Sequence, residues 1–148
     1  DSINQRARQR VIDLVRLELG TDLKGKRIAV LGAAFKPDSD DVRDSPALDI
    51  AEQISKAGAK VIVHDPKAME NAKRKSPDLD FVDSVSKCVS DADCILHLTE
   101  WKEYRELDPV VLKTQVAKPI IIDGRNALNR EVWISAGWKF RGLGRATR

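Results

Sequence analysis

Two cysteines and two histidines in 148 residues leave little material for metal or thiol chemistry. Cys88 and Cys94 stand six apart, not as a C-x-x-C pair, and no histidine cluster completes a ligand set, which excludes a disulfide framework and a structural zinc site. Apolar runs such as Pro119-Ile120-Ile121-Ile122 fall far short of the roughly 20 residues that span a bilayer, and no signal-peptide pattern opens the chain, so a cytoplasmic location is expected and a membrane is not. Charge of one sign is also lacking. Lys and Arg number 26 against 23 acids, a net +3, with no basic block and no basic stripe interleaved with aromatics, which argues against a nucleic-acid partner. There is no internal repeat, no low-complexity segment and no G-x-G-x-x-G. The length suits one domain with a core of ordinary size.

What is present alternates. Apolar residues Ile3, Ala7, Val11, Ile12, Val15, Leu17 and Leu19 recur at mostly helical spacing before a stop at Gly20, predicting an amphipathic helix over 1–20. The chain opens at Asp1 without Met, and this helix reads as the tail of a preceding region. Its apolar stripe is expected to be exposed, packing on a preceding domain or a second subunit, which predicts self-association. Strand-like runs follow at 27–32, 60–64, 93–98, 119–123 and 138–142, with a weaker one at 80–82. Most are continuous in Val, Ile and Leu, the pattern of strands buried on both faces. Helices are expected at 45–57, 67–75, 84–91, 107–114 and 127–136, the first carrying Ser45 as N-cap and Pro46 at its first turn. The alternation predicts an α/β, Rossmann-like parallel sheet with helices on both faces, occupying 21–148.

Three loops at carboxyl ends of predicted strands hold the candidate chemistry, since ligands of open α/β sheets bind there. The first runs from Gly32 to Pro46. Without further glycines it is a poor cradle for a dinucleotide in the usual manner, but Lys36 and Arg43 can each reach an anion, or can instead pair with Asp38, Asp40, Asp41 and Asp44. The consecutive acids Asp40 and Asp41 read as loop solvation and not as an acid/base pair. Asp65, ending the second strand, stands where an acid would meet a ribose or where a turn would need a cap. The second loop is Asp123-Gly124-Arg125-Asn126: Gly124 permits a tight turn, and Arg125 projects toward an anion or is bonded to loop carbonyls. The third, residues 98–104, carries Trp101 and Tyr104, which could stack on a base or anchor the loop. Cys88 and Cys94 fall in a helix and a buried strand, where thiols are inert. No nucleophile, base and orienter assemble, so the chain reads as a binder and not as the seat of chemistry.

The strings Gly32-Ala33-Ala34-Phe35-Lys36-Pro37, Asp40-Asp41-Val42-Arg43-Asp44-Ser45-Pro46, Thr99-Glu100-Trp101 and Asp123-Gly124-Arg125-Asn126 occur in order at strand ends. Together they resemble the C-terminal, UDP-sugar-binding domain of the nucleotide-sugar 6-dehydrogenase family, its UDP-glucose 6-dehydrogenases in particular. Residues 1–20 are similar to the end of that family's interdomain helix. The resemblance implies a two-step, NAD-dependent oxidation of UDP-glucose to UDP-glucuronate through a thiohemiacetal and a thioester on a cysteine. It places the NAD fingerprint and that cysteine in N-terminal and middle domains, so this chain alone should be inactive. It implies substrate contacts from Phe35 and Lys36, and from Arg125, which resembles an arginine reaching the UDP-sugar across the subunit boundary of a homodimer. Arg43 resembles the arginine that closes over NAD. Ala33 departs from a larger apolar residue often found there. Relatives acting on GDP-mannose or UDP-N-acetylmannosamine share the Phe-Lys and Asp-Asp-x-Arg loop, and a non-catalytic nucleotide-binding or oligomerisation module is the alternative of another class.

Overall fold

The structure is a computed structural model that describes residues 4–143. Six strands form one sheet: β1 (Arg27–Leu31), β2 (Lys60–His64), β3 (Asp80–Phe81), β4 (Cys94–His97), β5 (Ile120–Asp123) and β6 (Lys139–Gly142). Every neighbouring pair is parallel and the spatial order is β3-β2-β1-β4-β5-β6, the arrangement of a Rossmann-like domain. The chain builds outward from β1 in one direction, returns, and builds outward from β4 in the other. Carboxyl ends of β1 and β4 therefore lie side by side at the point where strand order reverses.

The helices are α1 (Gln5–Leu19), α2 (Pro46–Lys56), α3 (Met69–Lys75), α4 (Val85–Val89), α5 (Lys102–Arg105), α6 (Pro109–Lys113) and α7 (Arg130–Ser135). Right-handed crossovers put α2 and α3 on one face and α4 to α7 on the other. β2 is buried except at its first residue and β4 throughout, which is why these runs read as continuous and not alternating. Ser45 does cap α2, its Oγ accepting from Leu48 N at 3.2 Å, with Pro46 behind it. The helix α5 was not foreseen: Lys102 to Arg105 make one short turn inside a segment expected to be loop, packing Tyr104 completely inward. The other helices match the expected ones with shorter ends.

Two expectations about the first helix are corrected, and Ile3 lies outside the described residues. Leu14 belongs to the buried stripe with Val11, Ile12, Val15 and Leu19, whereas Leu17 points to solvent at 65% exposure. The stripe is also covered. It packs on α2 and β5 of the same chain, with Arg8 Nη1 donating to Asp49 at 2.9 Å, so this stripe by itself gives no ground for self-association. At the other end Glu18 is buried between Lys139 and Arg141 of the edge strand. Burial would raise its pKa; hydrogen bonds from both cations outweigh that and hold it below the usual carboxylate range.

Candidate functional site

The three loops converge on the carboxyl edge, and what joins them is a set of buried polar groups. Gly32 leaves β1 with φ +111°, a conformation L side chains rarely adopt. A Cβ there would sit 2.5 Å from Thr99 Cβ and 2.6 Å from Thr99 N, so glycine is required both by the turn and by the β4 loop crossing it. Thr99 then donates its hydroxyl to Ala34 O at 2.8 Å, and Ser45 donates to Ala33 O at 2.7 Å. These two bonds tie the β1 loop to the β4 loop and to the start of α2. Gly124 is needed for space and not for its dihedral freedom: a Cβ would meet Leu98 Cδ2 at 2.8 Å.

Asp65 is the turn cap of the two readings, and more. Its carboxylate is buried and accepts five N–H groups. Oδ1 takes Lys67 N and Ala68 N at 2.9 and 2.8 Å, while Oδ2 takes Ala33 N, Ala34 N and Trp101 Nε1 at 2.8, 2.9 and 3.1 Å. With every lone pair engaged, it clamps the β1 loop to the β4 loop and has nothing left for a ribose. Trp101 and Tyr104 are anchors. Tyr104 donates to His64 O at 2.9 Å, which leaves its oxygen to accept from His64 Nδ1 at 2.8 Å. Burial pushes the Tyr104 hydroxyl pKa far up and the His64 imidazole pKa down.

His64, Leu31, His97 and Asp123 lie in register across β2, β1, β4 and β5, forming a mostly polar row at the carboxyl edge. His97 Nδ1 donates to Asp123 Oδ1 at 2.8 Å, both groups being fully buried. Asp123 also accepts Arg125 N, Ala127 N and Leu128 N, so one carboxylate shapes the whole turn that carries Arg125. Burial alone would raise the Asp123 pKa, but the bonds from His97 and the backbone carry it below the carboxylate norm.

Of the expected cations, Arg125 is bonded neither to loop carbonyls nor to an open anion site. Its Nε and Nη2 donate to the two oxygens of Glu100 at 3.0 and 3.1 Å, with the guanidinium side chain only 8% exposed. Arg125 in turn lowers the Glu100 pKa against the opposing effect of burial. Arg43 is 87% exposed and pairs with Asp41, whose pKa its hydrogen bonds bring to about 2. Lys36 is exposed and makes no ion pair among the described residues, while Phe35 is half-buried with its N–H on Asp41 O at 2.7 Å. A groove of about 610 Å³ beside Arg43 is lined also by Asp40, Asn71, Arg74 and Lys75. Burial pushes the Cys88 thiol up to about 12 and the Cys94 thiol further, so both are inert. Among the described residues no group of acids, histidines and cysteines could hold a metal, and no helix is long and apolar enough to cross a membrane. The sequence reading gave no role to Glu100 or to the His97–Asp123 pair. The one signal was position: each ends or follows a strand at the ligand edge.

Comparison with known proteins adds independent support. The family model "UDP-glucose/GDP-mannose dehydrogenase family, UDP binding domain" matches residues 29–130. A UDP-glucose 6-dehydrogenase of Rhizobium meliloti (strain 1021) is 38% identical over 126 residues, 85% of this chain and 29% of that protein. Among solved structures, a UDP-glucose dehydrogenase from Pyrobaculum islandicum superposes with TM-score 0.79 at 30% identity, covering 94% of this chain and 30% of that one. An NDP-N-acetyl-D-galactosaminuronic acid dehydrogenase from Methanosarcina mazei gives TM-score 0.79 at 32% identity, covering 95% and 29%. The chain spans 29 to 30% of the length of these relatives. With the matched model covering all three loops and the strand edge between them, the chain belongs to the UDP-glucose/GDP-mannose dehydrogenase family, as its UDP-binding domain.

Proposed function

We propose that this domain holds the nucleotide-sugar substrate of an NAD-dependent UDP-glucose 6-dehydrogenase, with Phe35, Lys36 and Arg125 as substrate contacts and Arg43 facing the cofactor. The observation that carries the reading is the stretch 99–101. Thr99 bonds the loop bearing Phe35 and Lys36, Trp101 bonds the carboxylate that clamps that loop, and Glu100 bonds Arg125, so two cation-bearing loops are held by three consecutive residues. A pyrophosphate needs fixed cations, and Arg125, held by Glu100 just past the end of β5, is one. The cofactor, when bound, supplies the hydride acceptor. Arg43 suits its anionic bridge, being exposed beside a groove that also carries Arg74 and Lys75. Covalent catalysis is assigned to other parts of the enzyme, because both thiols here are buried and protonated. We place the enzyme in the cytoplasm, as a homodimer working in polysaccharide precursor synthesis, with residues 1–20 ending its interdomain helix and 21–148 forming this domain.

Ligand-observed NMR with UDP-glucose, GDP-mannose as competitor and Arg125→Ala as control tests the substrate assignment. Binding selective for UDP-glucose and lost in the variant is expected. Preferential binding of GDP-mannose would move the assignment within the family, and equal binding by Arg125→Ala would refute the role of that residue.

A further inference from the structure

Arg125 raises a physical question that its assignment to the substrate does not answer: its guanidinium already holds a carboxylate. A guanidinium has five N–H donors in a planar fork. Glu100 takes Nε–H and one Nη2–H. The three remaining donors lie along the Nη1 and Nη2 edge, which is itself a bidentate face for an anion. An incoming phosphate can therefore use Arg125 without displacing Glu100.

Glu100 is also unusually well fixed for a loop residue. Thr99 before it is hydrogen-bonded to Ala34 O, and Trp101 after it is bonded to buried Asp65 and donates its backbone N–H to Thr99 O at 2.9 Å. On the other side, the backbone N–H of Arg125 is held by Asp123, which His97 holds in turn. Both ends of the ion pair are anchored to strand termini, so the guanidinium plane is set before any ligand arrives. The cost is charge: a carboxylate beside Arg125 cancels most of its field, whereas Lys36, exposed, makes no ion pair among the described residues and meets Asp41 only through the longer-range field.

We propose that Glu100 is a positioning residue: it locks the Arg125 fork in one plane with its outer edge presented to the anionic part of the nucleotide sugar, leaving Lys36 as the exposed point charge. This rests on the substrate reading given above. Arg125 supplies geometry and Lys36 supplies attraction.

Two readouts on this chain separate the parts of the proposal. The first needs no ligand: exchange of the Arg125 Nε–H, followed by NMR, is slow in the wild type and at least tenfold faster in Glu100→Ala if the pair holds the fork. The second is the Kd for UDP-glucose. Freeing one long side chain removes preorganisation worth up to about tenfold in affinity, so Glu100→Ala is expected to bind that much more weakly with an unchanged unfolding midpoint. Glu100→Gln, which keeps an oxygen for Nε–H, should recover part of both effects. Unchanged exchange in Glu100→Ala overturns the lock, and tighter binding by Glu100→Ala overturns positioning in favour of competition between Glu100 and the anion. Absence of UDP-glucose binding by the wild type overturns the substrate reading and the positioning role with it. In that case the exchange experiment still reports the Glu100–Arg125 contact separately.

Discussion

Replacing Asp65 by Asn exchanges one oxygen for an NH2 of nearly the same shape and should nonetheless be among the most damaging single changes in this domain. Oδ1 accepts two backbone N–H groups and Oδ2 accepts two more plus the Trp101 indole. Whichever way the amide turns, its NH2 group faces at least two N–H donors and cannot accept from them. An unsatisfied buried donor costs about 1 to 3 kcal/mol; with Ala68 N buried and Lys67 N only partly so, the smaller set gives roughly 1 to 4 kcal/mol. Against the ~5 to 15 kcal/mol total of a typical domain, that is a large fraction. At about 2 to 4 °C per kcal/mol for a chain of this size, the midpoint should fall by roughly 2 °C at the least and about 7 °C in the middle of the range. Urea unfolding followed by tryptophan fluorescence measures the loss directly. Hydrogen exchange should show it first at Ala68, whose buried N–H loses its acceptor when the amide turns its NH2 toward the smaller set. A loss under about 1 kcal/mol with an unchanged denaturant slope would refute the clamp and return Asp65 to a ligand role. A ribose-binding aspartate predicts the opposite pattern, near-neutral stability with weakened nucleotide binding.

Two further outcomes follow from the same edge. Gly32→Ala places a Cβ 2.5 Å from Thr99 Cβ at a φ of +111°, so it should destabilise by more than about 2 kcal/mol. Adding Thr99→Gly should not restore stability in urea unfolding, because Thr99 N is 2.6 Å away and remains. The pKa of His64 is lowered chiefly by burial, so the native state keeps it neutral while the unfolded chain takes up a proton below about pH 6.5. Stability is therefore present above that pH and is lost as pH falls toward the native value, at up to about 1.4 kcal/mol per unit. Urea unfolding of wild type and His64→Gln at pH 7.5 and 5.5 measures it; equal pH slopes in the two proteins would refute the buried-neutral assignment.

The amino-acid pattern alone determined the class of fold and the places where function had to be sought. Runs such as Arg27-Ile28-Ala29-Val30-Leu31 and Cys94-Ile95-Leu96-His97 are continuously apolar, or nearly so, because both faces of a central parallel strand are covered. Ser45-Pro46 marked a helix start because a cap and a fixed φ are local chemistry. Gly32 and Gly124 marked departures from strands. The partners of the charged groups were not legible, because they are set by residues distant in the chain. Arg125 meets Glu100 only when β4 and β5 lie side by side, and Asp65 meets Ala33, Ala34 and Trp101 only once β2, β1 and β4 are in register. The face of α1 was misread by one residue, Leu17 for Leu14, because a period of 3.6 leaves flanking positions ambiguous until the helix has something to pack on. Local sequence therefore settled which residues stand at the ligand edge. Tertiary structure decided which of their charges are already spent on one another.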